Sequence, residues 1–230
     1  MSYVGARFLL NRADMVATVS NTSKNLIETN KLTTKPVVVI YNAPDLQPND
    51  STSESPAPSR RRRLLYMGSF MPYKNVELLV SALRDLPEFE LVLLSKISDK
   101  RRTELSDVAG QASSQIVFQN GVSDQRYANE LKAGFALVSA SKDEGFGIPL
   151  VEAMKFGLPI VVSEIPIFKE IAADSALYFD PNSSIQFAER IRSLEHQTTW
   201  SAMSKAATER GQLFDWNTSA VKLLEALKSL

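Results

Sequence analysis

Between residues 63 and 230, short apolar runs alternate with longer stretches whose apolar residues return every three or four positions. The short runs are RLLYMG (63–68), FELVLLS (89–95), IVFQNG (116–121), FALVSAS (135–141), PIVVS (159–163) and ALYFD (176–180). Apolar runs of this length, closed by small or polar residues, predict strands buried on both faces. KNVELLVSALRDL (74–86) sets Val76, Leu79, Val80 and Leu83 on one helical face. Further helices are predicted around 99–109, 124–133, 149–156, 184–196, 199–213 and 217–230. Gly157 stands where a left-handed residue would end the helix at 149–156. Strands separated by helices imply right-handed crossovers. The expected fold class is therefore α/β: a doubly wound, parallel, six-stranded, Rossmann-like sheet with helices on both faces.

The first 43 residues keep the same rhythm with only two strands, MVATVS (15–20) and PVVVIYN (36–42), and a helix between them. Two parallel strands cannot make an independent sheet with both faces covered, so 1–43 is expected to be the incomplete tail of a second domain. Residues 44–62, PDLQPNDSTSESPAPSRRR, have almost no large apolar side chain to offset their ordering entropy, and are expected to form a linker or hinge. Residues 63–230 are expected to form a complete domain.

Composition narrows the chemistry. Lys plus Arg and Asp plus Glu each number 26, which argues against a dedicated nucleic-acid binder. The absence of Cys excludes disulfide scaffolds, Cys-ligated metals and thiol catalysis. The single His, His196, rules out a His-rich zinc site; it is expected at the end of a helix, in a structural role. Trp200 and Trp216 are expected in the core or in helix packing. No apolar run approaches the ~20 residues of a membrane span. The first residues, MSYVGARFLLNRAD, lack the layout of a signal peptide. The expectation is a cytoplasmic protein, with peripheral contact at the inner membrane face as a possibility. That possibility rests on Arg60–Arg63, which reads either as a solvated hinge end or as a contact for anionic lipid headgroups.

Ligands of doubly wound folds bind beyond the carboxyl ends of the strands, near the point where strand order reverses. Those ends here are Gly68-Ser69, Ser95-Lys96, Asn120-Gly121 and the loop from Ser141 to Ile148. Gly145 and Gly147 let backbone approach a ligand, and Pro149 suits the first turn of the helix that follows. The free N–H groups of that turn form an anion site; without a ligand the same residues are an ordinary strand-to-helix turn. Glu144 at the loop and Glu152 one turn into the helix are expected to reach the same crevice. A carboxylate accepts hydrogen bonds, so both suit sugar or ribose hydroxyls. Lys74, six residues after Gly68, is placed to meet a diphosphate as a point charge. Singly, each of these charges reads as an ordinary loop or helix-start residue; together with the glycines they point to a site. Gly145-Phe-Gly147 also opens a dinucleotide fingerprint, but Leu150 stands where its third Gly would be. No Gly-Lys-Ser/Thr loop is present, and no Asp-x-Asp follows a strand.

GSFMPYKNVELLVSAL, then SASKDEGFGIPLVEAMKFGLPIVVSEIPIFKEIAADSALYFDP, then FDW resemble the family-four retaining glycosyltransferases of the GT-B fold. The most specific match is the pair of glutamates seven residues apart in EGFGIPLVEAM. The resemblance covers 63–230 as the donor-binding domain and 1–43 as the end of the acceptor-binding domain. It implies that Glu144 holds donor-sugar hydroxyls and stabilises charge near them, and that Glu152 binds the ribose. It implies that backbone N–H groups of Phe146, Gly147 and Ile148 hold sugar and phosphate, that Gly145 belongs to the same donor-binding loop, and that Lys74 stabilises the leaving diphosphate. Gly68 and Ser69 match the first phosphate loop, where the family usually has Arg after the Gly. Gly121 and Val122 match the loop that meets the base. The implied donor is a UDP- or GDP-linked hexose, with mannose the first guess, and the acceptor a glycan or lipid-linked saccharide. No cofactor or metal is expected. Transfer is expected to need most of an acceptor domain, and one reading supplies it as a separate N-terminal-domain chain. The alternative is a nucleotide-sugar-binding module without turnover, or one half of a split enzyme.

Overall fold

The structure is a computed structural model describing residues 3–46, 48 and 62–230, with Tyr3 and Val4 as backbone. Most of the expected linker, and Arg60 and Arg61, lie outside the described residues. The strands are β1 (Val16–Thr18), β2 (Val37–Val39), β3 (Arg63–Tyr66), β4 (Glu90–Leu93), β5 (Ile116–Phe118), β6 (Ala136–Ser139), β7 (Ile160–Ser163) and β8 (Ala176–Phe179). The helices are α1 (Tyr3–Leu10), α2 (Asn21–Thr29), α3 (Val76–Ser81), α4 (Asp99–Ala109), α5 (Asp124–Ala133), α6 (Ile148–Lys155), α7 (Pro166–Ala172), α8 (Ser184–Ser193), α9 (Gln197–Gly211) and α10 (Trp216–Lys228).

β3 to β8 form one sheet in the order β5-β4-β3-β6-β7-β8, every pairing parallel. The chain builds outward from β3 to β5, returns to lay β6 against the other edge of β3, and builds outward again. The reversal lies between β3 and β6, whose register pairs Leu64 with Ala136 and Leu65 with Leu137. The strands read as unbroken apolar runs because alternate residues feed two separate cores. Leu64, Tyr66, Leu91, Leu93 and Val161 enter one with α3 and α8. Leu65, Val92, Leu137, Ile160 and Val162 enter the other with α6 and α7. Each such side chain contributes roughly 1.5–3 kcal/mol by leaving water. Trp200 is buried as expected, its indole N–H bonded to the Phe135 carbonyl at 2.9 Å.

Local geometry departs from the sequence reading at four points. The helix expected over 74–86 is broken: Pro72–Lys74 form a 3-10 turn, Asn75 is left-handed (φ 53°), and α3 starts at Val76. The Asn75 amide donates to the carbonyls of Ala140 (3.2 Å) and Pro181 (2.8 Å), which holds the residue out of helix. His196 does not end a helix; α8 stops at Ser193 and His196 is the residue before α9, so no helix carboxyl end stabilises it. Trp216 opens α10 about half exposed, its indole N–H bonded to Asp45 (2.8 Å). Of the arginine run, Arg62 pairs with Glu195, and Arg63 is buried against Glu130 (2.6 Å), so neither is an isolated hinge charge. No described helix is long and apolar enough to cross a membrane.

β1 and β2 pair with each other, parallel, in a sheet of their own. The small sheet is docked through α2, which rests on α7. Glu170 of α7 accepts from the backbone N–H groups of Asn21 (2.6 Å) and Thr22 (2.7 Å), from the Thr22 hydroxyl (2.7 Å) and from the Asn21 amide (3.0 Å). Ser20 caps the next N–H of α2, on Ser23, at 3.0 Å. A carboxylate 149 residues away in sequence thus completes the cap of α2 and sits at the positive end of its dipole. Burial opposes the Glu170 charge, but the bonds from Thr22 and Asn21 outweigh it and hold the carboxyl below the ordinary range.

Glu170→Gln should therefore cost about 2 kcal/mol at neutral pH, because charge-assisted bonds become neutral ones. Since the folded-state carboxyl is the stronger acid, the contribution is present above the ordinary Glu value, near 4.3, and fades as pH falls through the lower folded value. Denaturant unfolding of both proteins from pH 7 to 3 checks this; a difference that stays constant with pH would contradict it.

Candidate functional site

The reversal between β3 and β6 opens a cleft of about 400 Å³ at their carboxyl ends. Gly68 follows β3, Ser139 ends β6, and Glu144 to Leu150 form the loop and first turn of α6. Val19 and Asn42, which follow β1 and β2, supply a wall from the small sheet. Lys74 reaches in from the 3-10 turn, anchored by the left-handed Asn75 beside it.

Lys74 and Glu144 meet inside the cleft. The ammonium lies 2.5 Å from Glu144 Oε1, and the two side chains are only 15% and 13% exposed. The same oxygen accepts from the Ser141 hydroxyl at 2.8 Å. Ser163 donates to the Ser141 carbonyl, and the Ser139 and Ser141 hydroxyls lie 3.2 Å apart. Lys142 N–H bonds the Tyr73 carbonyl (2.8 Å), so the loop holding Glu144 and the turn holding Lys74 are tied by backbone as well. Removing either charge would strand the other in a half-buried place, a cost of several kcal/mol for a buried pair.

α6 begins at Ile148 with Pro149 in its first turn, after Gly147. Gly147 has φ +96°, and a Cβ there would meet the Phe168 ring at 3.1 Å. The N–H groups of Gly147 and Ile148 carry no hydrogen bond among the described residues, leaving them free at the cleft. Phe146 turns inward: it is buried and packs against Tyr41 (6.1 Å between centroids) and edge-on to Phe214 (5.9 Å). The Ser20 hydroxyl meets the Gly145 carbonyl at 3.2 Å, tying α2 to the loop.

Glu152 does not line this cleft. It faces a smaller cavity of about 220 Å³ with Asp45, Leu46, Asp124 and Tyr127. The Tyr127 hydroxyl donates to Glu152 Oε2 at 3.0 Å. Burial raises the Glu152 carboxyl above its ordinary value, the Tyr127 bond pulls it down, and Asp124 and Asp45 add repulsion. The expectation of one crevice for both glutamates becomes two cavities, because Glu152, one turn into α6, lies with Tyr127 and Asp124 and apart from the loop that carries Glu144. Gly68 N–H bonds the Ser95 hydroxyl (3.0 Å), and the Tyr66 hydroxyl donates to the Ser69 carbonyl (2.5 Å), while the Ser69 side chain points to solvent and lines neither cavity. Gly121 and Val122 line neither as well; Gly121 lies over the Lys96 stem, and Val122 packs on the core. Sequence reasoning did not find Ser139, Ser141, Tyr127 or Asn42. Hydroxyls and amides have no periodicity, and Asn42 enters only once the small sheet docks. Among the described residues, no group of three or more His, Asp or Glu is placed to hold a metal ion.

The sequence profile of the family described as "Glycosyl transferases group 1" matches residues 49–212. The chain is 30% identical over 200 residues to the O-antigen chain mannosyltransferase RfbU of Salmonella typhimurium, a match covering 82% of this chain and 54% of that protein. It is 31% identical over 120 residues to the GDP-mannose:cellobiosyl-diphosphopolyprenol alpha-mannosyltransferase of Xanthomonas campestris, covering 50% and 32%. Its fold superposes on Anabaena HepE, solved in complex with UDP and glucose, with a TM-score of 0.83 at 22% identity, covering all of this chain and 68% of that one. The chain thus spans about half the length of the Salmonella relative.

The cleft gives a direct test of backbone constraint. Gly147→Ala should cost about 1–2 kcal/mol, from the positive φ and the contact with Phe168. Gly145→Ala should be nearly neutral, since a Cβ there meets nothing within 4 Å. Equal midpoints for the two variants in chemical unfolding would contradict the assignment.

Proposed function

The chain belongs to the group 1 glycosyl transferases, and on that footing we propose that it moves a hexose from a nucleoside diphosphate sugar to a glycan or lipid-linked saccharide, with retention at the anomeric carbon. The observation that carries the proposal is the cleft at the β3–β6 reversal, where one cation, one carboxylate and a free helix start converge. A diphosphate needs the first and third, and sugar hydroxyls need the second.

In this reading the Gly147 and Ile148 N–H groups and the start of α6 take the phosphate nearer the sugar. Lys74 leaves Glu144 for the diphosphate, and Glu144, its Oε1 still held by Ser141, offers its other oxygen to a sugar hydroxyl. Binding then gives Lys74 an ionic partner in the diphosphate and gives Glu144 hydroxyl donors in place of the ammonium, so neither charge is left without a polar partner. The anomeric carbon–oxygen bond breaks as the acceptor oxygen bonds from the same face. The acceptor proton passes to the departing phosphate oxygen. Lys74 and the helix start neutralise the leaving charge, which is the main catalytic contribution expected of fixed dipoles and cations in a site shielded from water. Glu152, held by Tyr127 in the neighbouring cavity, takes the ribose hydroxyls, and the Gly121–Val122 loop takes the base. Ser69 adds no positive charge, so Lys74 is the principal cation for the diphosphate, and no cofactor or metal is required. The mannosyltransferase names of the relatives support mannose as the first sugar to test and GDP as the first nucleotide, with UDP second. Lipid-linked acceptors would place the reaction at the cytoplasmic face of a membrane.

Thermal-shift screening of the chain with GDP, UDP and ADP, followed by calorimetry, tests this reading; no binding to any of them would overturn it. Lys74→Ala should weaken nucleoside diphosphate binding about tenfold or more, the scale of a lost charge-assisted bond. Glu152→Ala should weaken it about fivefold through the ribose, and should weaken inorganic diphosphate not at all.

A further inference from the structure

Four polar side chains line the 400 Å³ cleft: Asn42, Lys74, Ser139 and Glu144. Three are engaged internally: Lys74 with Glu144, and Ser139 with Ser141. Asn42 is the exception; among the described residues its amide has no hydrogen-bond partner.

The residue is nonetheless held firmly in place. Tyr41 beside it donates its hydroxyl to Glu170 (3.0 Å) and accepts from the Asn21 amide (2.8 Å). The Tyr41 ring packs against Phe146 and Phe214, at 6.1 and 5.8 Å between centroids. The Ser219 hydroxyl of α10 bonds the Tyr41 carbonyl at 2.6 Å. Ala43, on the other side, is buried. The backbone around Asn42 is thus clamped from α2, α7, the Phe146 loop and α10, while its own side chain stays uncommitted. With the backbone held, only the two side-chain torsions of Asn42 remain to be ordered when the amide binds.

We propose that Asn42 is a hydroxyl-binding residue of the cleft, contributed by the wall opposite α6. The proposal rests on the reading of the cleft as a nucleotide-sugar site. The chemistry selects the ligand group. Lys74 and the helix start only donate, so they suit phosphate oxygens; Glu144 only accepts. An amide donates and accepts together, which matches a sugar hydroxyl in both of its roles. The hydroxyl comes either from the transferred hexose or from the acceptor saccharide.

The test is calorimetry on the chain and on Asn42→Ala, with Asn42→Ser as a second small polar variant. The probes are GDP, GDP-mannose, and methyl α-mannopyranoside added to the GDP-saturated protein, with UDP and UDP-glucose replacing the first two if screening favours them. Because Asn42 has no internal partner, both variants should unfold at the same midpoint as the parent. GDP affinity should stay within twofold. A loss of about 5–10-fold confined to GDP-mannose assigns the hydroxyl to the donor hexose. The same loss confined to the methyl mannoside assigns it to the acceptor. Unchanged affinity for all three probes, or an equal loss for GDP and GDP-mannose, overturns the proposal. Failure of the parent chain to bind any nucleotide overturns the reading of the site itself, and is seen before any variant is made.

Discussion

β3 and β6 lie side by side although the chain places two strands and three α-helices between them, and the rest of the molecule follows from that contact. A parallel sheet covered on both faces has no free face for chemistry. It offers only the ends of its strands, and only where neighbouring connections leave in opposite directions does a gap open. Here the connection after β3 leaves toward β4 and the one after β6 toward β7, so Gly68, Ser139 and the Glu144–Leu150 loop face one cleft. The apolar strands that fix this arrangement contribute Leu137, Val138 and Ser139 of β6 to the lining of the cleft. Their role is to hold two loop ends at a distance that neither loop could keep alone.

The second constraint is charge. A lysine and a glutamate in a half-buried cleft are costly singly and tolerable as a pair. The resting protein meets that condition by joining Lys74 to Glu144, with Ser141 and Ser163 fixing the acid from behind. In the proposed function the ligand substitutes for the internal partner on both sides. The same reasoning explains why Glu152 lies apart. Burial, with Asp124 and Asp45 adding repulsion, already makes its carboxyl harder to ionise. A second acid beside Glu144 would weaken the hold on a diphosphate.

The small sheet is joined to the large one by polar bonds and by aromatic packing. Glu170 closes the cap of α2, Ser20 touches the loop at Gly145, and Tyr41 stands between Phe146 and Phe214. These contacts converge on the loop that carries Glu144, so the position of the first 43 residues and the shape of the cleft are one problem. The far end of the chain takes part too, through Ser219 on the Tyr41 carbonyl and Trp216 on Asp45.

Much of this was legible in the residues. Six apolar runs of strand length between helical segments determined a doubly wound parallel sheet, because burial on both faces leaves no polar alternation. The glycines, the proline and the two glutamates after the fourth run marked the loop, because a chain that approaches a ligand closely and then starts a helix has few other options. α7 went unread between the fifth and sixth runs, although Ile167, Phe168, Ile171 and Ala172 recur at helical spacing, and with it went Glu170 and the cap it supplies. The split of the two glutamates, the Lys74–Glu144 pair and the exposure of Asn42 to the cleft were decided by the tertiary structure alone. Periodicity reports which face of an element is apolar and nothing about what that face will meet. Residues 70, 129 and 149 positions apart became partners only when packing brought their elements together.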